Sequence, residues 1–591
     1  MSDVLRRRCL DIFWPCQNNH IMKNVFFVLT ALLALAFASS FAFVSCSNSS
    51  DNSAALAAWL ASQGEQKKTS DWLFLLYLDA DDPSINDSLY ANMREVEYSL
   101  TQIRNEDGSP KEGCPSVTVV VLWDGISVDD KASSKYLHPD GALYELGPDY
   151  ELKWVQYKDA CPGIGMVYLT IDGGKHSLGG EFKVGANTKD LTKSARKWLK
   201  KEPDMGDEET LEGFLKWAKA RYQAGNVVVC LNDHGAGTHK EAKDEGLLRQ
   251  NVSSSLCADA SSGGNKLLTC KNVKDALAAA GYKGEEKPKI LWNDVCLQST
   301  AEIVYNYAGC AEYLAASPNQ AISNNYTRIF TSLKSGMTAL DVGKIITSSY
   351  YERNGSLNQA YGANEYDRMS ARASGYSMLT WSLLSLDQQK ASALKEKVDA
   401  FALALLSLNQ TKFNSVYTKY IKQDYSNLQK CMGLAYAGTF AFLNDLGWLA
   451  KEVEADEDED VGLPEYVRNA AADLKSLLKN GDDELIVYAW GGKRATIDTG
   501  FDWAGVTTNQ MYLTGQKDYI TGESVAVEYG NDDDKDIYGL TIVGSQRMLS
   551  DSHGNFVPAP EEFNAVQNYC DWTGFSKEWG DVIEAWRTSG L

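Results

Sequence analysis

Hydrophobic residues along this chain fall into short unbroken runs separated by amphipathic stretches. Trp72-Leu73-Phe74-Leu75-Leu76-Tyr77-Leu78 is apolar at every position and stops at Asp79-Ala80-Asp81-Asp82-Pro83, the pattern of a strand buried on both faces of a parallel sheet. Similar runs occupy Val117–Trp123, Asn226–Leu231 and Lys289–Trp292, and between them Ser88–Ile103, Glu208–Tyr222 and Val273–Ala280 read as helices. Strands alternating with helices predict an α/β fold with a mainly parallel sheet. In such sheets chemistry gathers at the carboxyl ends of the strands.

The pattern changes twice further on. From Gln388 to about Lys479 Leu, Ala, Lys and Glu dominate, which predicts a helical region over 388–483 with Glu452–Asp460 as a solvated charge run. From Glu484 onward short strands are expected at Val487–Trp490, Ser524–Tyr529 and Tyr538–Val543, followed by a Trp-rich helical end at Phe575–Trp586. The segment 484–591 therefore reads as a carboxyl-terminal α+β region that completes the core over 70–387.

At the amino terminus, Val25–Val44 is apolar and uncharged, long enough to span a bilayer. Its surroundings favour a different reading. Met22, Lys23 and Asn24 form a short basic start, and Phe43-Val44-Ser45-Cys46 is followed by the polar run Ser47–Ser53. This resembles a bacterial lipoprotein signal peptide over 22–45, with Cys46 receiving the lipid and Phe43 standing where Leu is usual. Residues 46–69 then form a flexible tether, 1–21 a non-native extension or leader, and the folded part is extracytoplasmic and membrane-anchored.

Composition narrows the function classes. With 44% hydrophobic and 23% charged residues over 591 positions the chain is globular, and disorder is excluded as its main state. A formal net charge of −22 and the lack of a basic stripe argue against a nucleic-acid partner. The 12 cysteines include no CxxC pair and no Cys/His cluster at zinc spacing. Oxygen-rich loops at Asp79-Asp81-Asp82 and Asn531-Asp532-Asp533-Asp534 lack EF-hand spacing and read as solvated turns.

Two strand ends carry candidate chemistry. Asn226–Leu231 runs into Asn232-Asp233-His234-Gly235, and Lys289–Trp292 runs into Asn293-Asp294-Val295-Cys296. A histidine and a cysteine just past neighbouring strands can face each other, as a thiol nucleophile and its proton-transfer partner must. Gly235 leaves its backbone approachable, and the Gly235 and Cys296 N–H groups are candidate donors to an oxyanion. Two ordinary residues at strand ends are the competing reading. His176 and His239 are alternative bases by chemistry alone, but neither ends an apolar strand.

A hydrophobic block ending in His-Gly, followed by one ending in Asp-x-Cys, resembles the clostripain family of cysteine peptidases, whose fold is related to that of caspases, gingipains and legumain. Further agreement comes from Trp72–Asp82, Met205-Gly206-Asp207-Glu208-Glu209-Thr210-Leu211, Leu268-Thr269, Glu302–Tyr305, Leu314–Ser317 and Tyr538–Ile542, so it spans roughly 70 to 590. The resemblance implies a caspase-like fold and an endopeptidase with Cys296 as nucleophile and His234 as general acid/base. It needs no cofactor, although calcium affects several members. It also implies that Asp294 reads an Arg or Lys before the scissile bond of a protein or peptide substrate, with Asn325 at a second, usually acidic, pocket position. Self-cleavage between the His and Cys blocks is expected at Arg249, in the polar segment Lys240–Lys271. A catalytically silent surface-binding lipoprotein on the same scaffold is the alternative.

Overall fold

Nine strands form the frame, and their register follows the apolar runs. They are β1 (Lys68–Ala80), β2 (Val117–Gly125), β3 (Ala142–Glu145), β4 (Lys189–Asp190), β5 (Tyr222–Asn232), β6 (Ile290–Asp294), β7 (Tyr313–Ala316), β8 (Ser382–Ser385) and β9 (Ile486–Ala489). They lie in the order β9-β8-β7-β6-β5-β1-β2-β3-β4. The central five, β2-β1-β5-β6-β7, are parallel, and the strands on both flanks add antiparallel. The fold is thus α/β with a mostly parallel sheet flanked by helices, as the alternation predicts.

This computed structural model describes residues 67–82, 85–125, 141–152, 155–159, 167–171, 174–177, 182–235, 256–257, 267–318, 321, 324–360, 381–421, 443–456, 461–489, 495–503, 506–512, 538–544, 548–550, 556–558, 569 and 573–589. Cys46 with the signal peptide, Arg249, His239, Ser524–Tyr529 and Asn531–Asp534 lie outside them. Among the described residues no helix is long and apolar enough to cross a membrane.

Strand alternation divides the core between two faces. Leu73, Leu75 and Tyr77 of β1 join the cluster that includes α2 (Glu208–Arg221) and α3 (Cys270–Ala279), whereas Trp72, Phe74, Leu76 and Leu78 join that of α1 (Asn86–Ile103). Both faces are apolar, so the run needs no polar positions. The conspicuous Met205–Leu211 segment has a local cause: Asp207 caps α2 by accepting from the Glu209 N–H at 3.1 Å, and the buried Tyr77 hydroxyl donates to the Met205 carbonyl at 2.8 Å.

The carboxyl-terminal region shares this core. The expected Val487–Trp490 strand is β9, an edge of the main sheet rather than part of a separate one. Within the zone expected to be helical, Leu443–Asp445 is a strand paired with Thr541–Val543. After the β6 turn comes α4 (Ala301–Tyr307), whose buried Glu302 accepts from the Val543 N–H at 3.0 Å and the Tyr569 hydroxyl at 2.5 Å. Gly539, at φ +87, offers its carbonyl to the Ser299 and Ser382 hydroxyls at 2.6 Å each, and a Cβ there would lie 2.3 Å from Ser382 Oγ. The turn that carries Cys296 is therefore tied to residues about 240 positions later.

Candidate active site

Chain order fixes where the crevice opens. From β1 the chain crosses to β2 on one side, while β5 lies on the other, so a topological switch point falls at the carboxyl ends of β1 and β5. Asn232 of β5 pairs with Asp294 of β6, and His234 and Cys296 each follow two residues later. Equal offsets from paired ends bring the two segments together. The contact is tight: a Cβ on Gly235 would lie 2.3 Å from the Cys296 carbonyl oxygen and 2.9 Å from its nitrogen.

The turn that carries Cys296 is held from outside. Leu297, buried, adopts φ +61, a left-handed conformation that costs a branched residue free energy and persists only where its surroundings enforce it. They do so through Ser317, whose carbonyl at the end of β7 accepts from the Gln298 N–H at 2.8 Å and the Ser299 N–H at 2.9 Å. The Cys296 sulfur accepts from the Ala321 N–H at 3.2 Å and faces the Ala321 carbonyl at 3.6 Å. Burial pushes its thiol up from the usual value, partly offset by hydrogen bonds from the Ala321 and Gly235 backbones.

The imidazole has an acidic partner that the sequence pattern did not single out. His234 is half exposed, and what desolvation it suffers works against its charged form, but Asp82, just past β1, sets its Oδ2 3.5 Å from Nε2, and Asp233 adds a second negative charge, so His234 is raised to about 9. The folded-state value exceeds that of the unfolded chain, ~6.5. The contact therefore stabilises the fold fully below about pH 6.5, and that contribution is lost as pH rises through about 9. In Asp82→Asn the His234 midpoint should fall toward its ordinary value. An NMR titration of the ring protons that gives the same midpoint in both proteins would refute the assignment.

Asp294 is buried, and its Oδ2 accepts from the Tyr326 hydroxyl at 2.9 Å and from Asn232 Nδ2 at 3.1 Å. Asn325 has a local structural role. It caps helix α5 (Tyr326–Thr331), accepting from the Arg328 N–H at 2.9 Å, and its neighbour Tyr326 is the residue that turns toward Asp294. The Asp79-Asp81-Asp82 loop is likewise divided. Asp82 meets His234, while Asp79 groups with Asp233 and Cys257, their donor atoms all within 4.8 Å. Two carboxylates and a thiol do not make the oxygen cage that calcium takes. Cys257 reaches this end of the sheet because Leu256 bridges Gly235.

The sequence model of the clostripain family matches residues 111–586. Clostripain from Hathewaya histolytica is 23% identical over 417 residues, covering 66% of this chain and 70% of that protein. Among solved structures, a secreted C11 cysteine protease from Bacteroides thetaiotaomicron in complex with an irreversible peptide inhibitor superposes with a TM-score of 0.42 at 12% identity, over 87% of this chain and 98% of that one. An inactive zymogen C11 protease from Parabacteroides distasonis gives 0.41 at 13% identity, over 88% and 99%.

Proposed function

The chain belongs to the clostripain family of cysteine peptidases, and from that premise we propose that it cleaves peptide bonds after Arg or Lys through a Cys296–His234 dyad. Cys296 Sγ, as thiolate, attacks the scissile carbonyl carbon; the C–N bond breaks as the His234 imidazolium gives its proton to the leaving amine. The resulting thioester is hydrolysed by a water that loses its proton to His234 as it attacks the acyl carbon; the C–S bond then breaks, which restores the Cys296 thiolate and the His234 imidazolium. The Gly235 and Cys296 N–H groups receive the oxyanion in both steps. A raised His234 supports this order, because the imidazolium persists at neutral pH. Asp294, beside the nucleophile strand end, would pair with the substrate cation.

The observation that carries the reading is the contact of Gly235 with Cys296 at paired strand ends. We test it with peptidyl-lysine and peptidyl-arginine ketones that alkylate thiols. One equivalent should attach to Cys296 and abolish reporter hydrolysis; labelling elsewhere, or full activity in the labelled protein, overturns it. The same preparation tests self-cleavage after Arg249, which should yield a fragment beginning at Gln250. An intact chain that still hydrolyses peptides rules out obligatory processing there.

The lipoprotein-like leader supports attachment through Cys46 and an extracytoplasmic site of action on protein or peptide substrates. No step of this chemistry runs through calcium or another cofactor.

A further inference from the structure

We infer that Ser299 is a positioning residue of the peptidase, through which the segment 538–543 holds Cys296 in its reactive place; the inference rests on the Cys296–His234 reading given above. Ser299 lies three residues past Cys296, is fully buried, and is bonded on every polar atom. Its N–H donates to the Ser317 carbonyl at 2.9 Å, its carbonyl accepts from the Thr541 N–H at 2.9 Å and the Thr541 hydroxyl at 3.1 Å, and its own hydroxyl donates to the Gly539 carbonyl at 2.6 Å. Two distant parts of the chain close on one residue.

The far side of this contact is itself fixed. The Tyr538 and Gly539 N–H groups donate to Asp445 Oδ2 at 2.9 and 3.0 Å, and the other oxygen of that buried carboxylate caps the helix Leu446–Glu454 by accepting from the Trp448 N–H at 2.8 Å. The Leu540 carbonyl accepts from the Leu446 N–H at 2.8 Å. These bonds keep the Gly539 carbonyl aimed at Ser299. A carbonyl oxygen has two lone pairs, and the Ser382 hydroxyl, also at 2.6 Å, takes the second.

The restraint meets a local need. Leu297, between Cys296 and Gln298, stands at φ +61, where a branched residue relaxes unless its flanks are held. Gln298 and Ser299 are one of those flanks. If Ser299 loosens, Leu297 can turn back toward an ordinary conformation, and that rotation moves the Cys296 sulfur and N–H relative to Gly235 and His234. A small misplacement of reacting groups lowers turnover steeply.

Steady-state kinetics of the full chain on reporter peptides that the wild type cleaves test this. Ser299→Ala leaves the Gly539 carbonyl its bond from Ser382 and should lower kcat and kcat/KM together by roughly tenfold, a fraction of the cost of a full ångström, with KM little changed. Ser382→Ala is the matched control. It removes an equivalent hydroxyl from the same carbonyl, but from β8, which carries no reacting group, and should leave kcat at the wild-type value. A wild-type kcat in folded Ser299→Ala, or an equal fall in both variants, overturns the inference and leaves the dyad in place if Cys296→Ala is inactive. Wild-type turnover in Cys296→Ala overturns the dyad and the inference together. If Ser299→Ala does not fold, Thr541→Val decides, because it removes one of the two bonds to the Ser299 carbonyl. There kcat should fall roughly threefold, near the lower end of what one hydrogen bond is worth, and an unchanged kcat overturns the inference.

Discussion

Cys296→Ala is expected to lower kcat/KM on Lys and Arg reporters by on the order of 10⁴ or more, because the covalent route disappears and the remaining oxyanion donors and binding contacts catalyse poorly alone. Stability should hardly change. Removing the sulfur takes an acceptor from the Ala321 and Gly235 N–H groups, a loss of ~1–3 kcal/mol at most in a chain with an extensive core on both faces of its sheet. The melting temperature should therefore stay within a few degrees of the parent. Cys296→Ser should be nearly as inactive, since a serine hydroxyl ionises far less readily than a thiol and the site was built around a sulfur acceptor. Identical low rates in wild type and Cys296→Ala would leave the chain as a binding scaffold and remove the basis for assigning the dyad. A residual rate near wild type would instead require another nucleophile, and Cys257, whose sulfur groups with Asp79 and Asp233, would be the first to replace.

How legible each feature is in the sequence follows from how it is encoded. The parallel strands were legible because burial on both faces makes each an unbroken apolar run, and His234 and Cys296 because they are the first reactive groups past two of those runs. Asp82 was legible only as part of an acidic loop. Its bond to His234 joins the end of β1 to the end of β5, strands that are neighbours in the sheet but far apart in sequence, and no local pattern records that adjacency. The surroundings of Asp294 show the same limit at the scale of one residue. Asn325 and Tyr326 are adjacent, and which of them faces Asp294 depends on where α5 begins; the capping preference of Asn decides it, turning Asn325 to the Arg328 N–H and Tyr326 inward. The strand Leu443–Asp445 was hidden because it is three residues long and its partner, Thr541–Val543, comes almost a hundred positions later. Pairing over such a distance is a tertiary event that a helical composition around it masks.

Gly235→Ala should be the most damaging single-methyl change in the site. The added Cβ would lie 2.3 Å from the Cys296 carbonyl oxygen, 2.9 Å from the Cys296 nitrogen and 2.8 Å from Val295 Cγ2. Two of those three atoms are backbone, held by the Gln298 and Ser299 bonds to Ser317, so the strand ends must part rather than a side chain swing away. A shift of about 1 Å between reacting groups costs roughly 10²-fold, and loss of one oxyanion donor costs about 10²–10³. The two losses overlap, because the same shift causes both, so a fall of about 10³ in kcat/KM is expected with KM little changed. Overpacking should also lower stability by ~1–3 kcal/mol. Gly225→Ala is the matched control: it lies in the same strand, β5, and its Cβ would meet only the Asp71 carbonyl at 3.8 Å. It should leave kcat/KM within about twofold, as surface changes away from such contacts usually do. Alkylation of Cys296 by iodoacetamide separates geometry from unfolding. A folded Gly235→Ala protein whose Cys296 still reacts but whose peptidase activity is lost supports the oxyanion role, whereas activity within about threefold of wild type, well short of a lost donor, would mean that the two strand ends can part without consequence and that Gly235 donates nothing to the reaction.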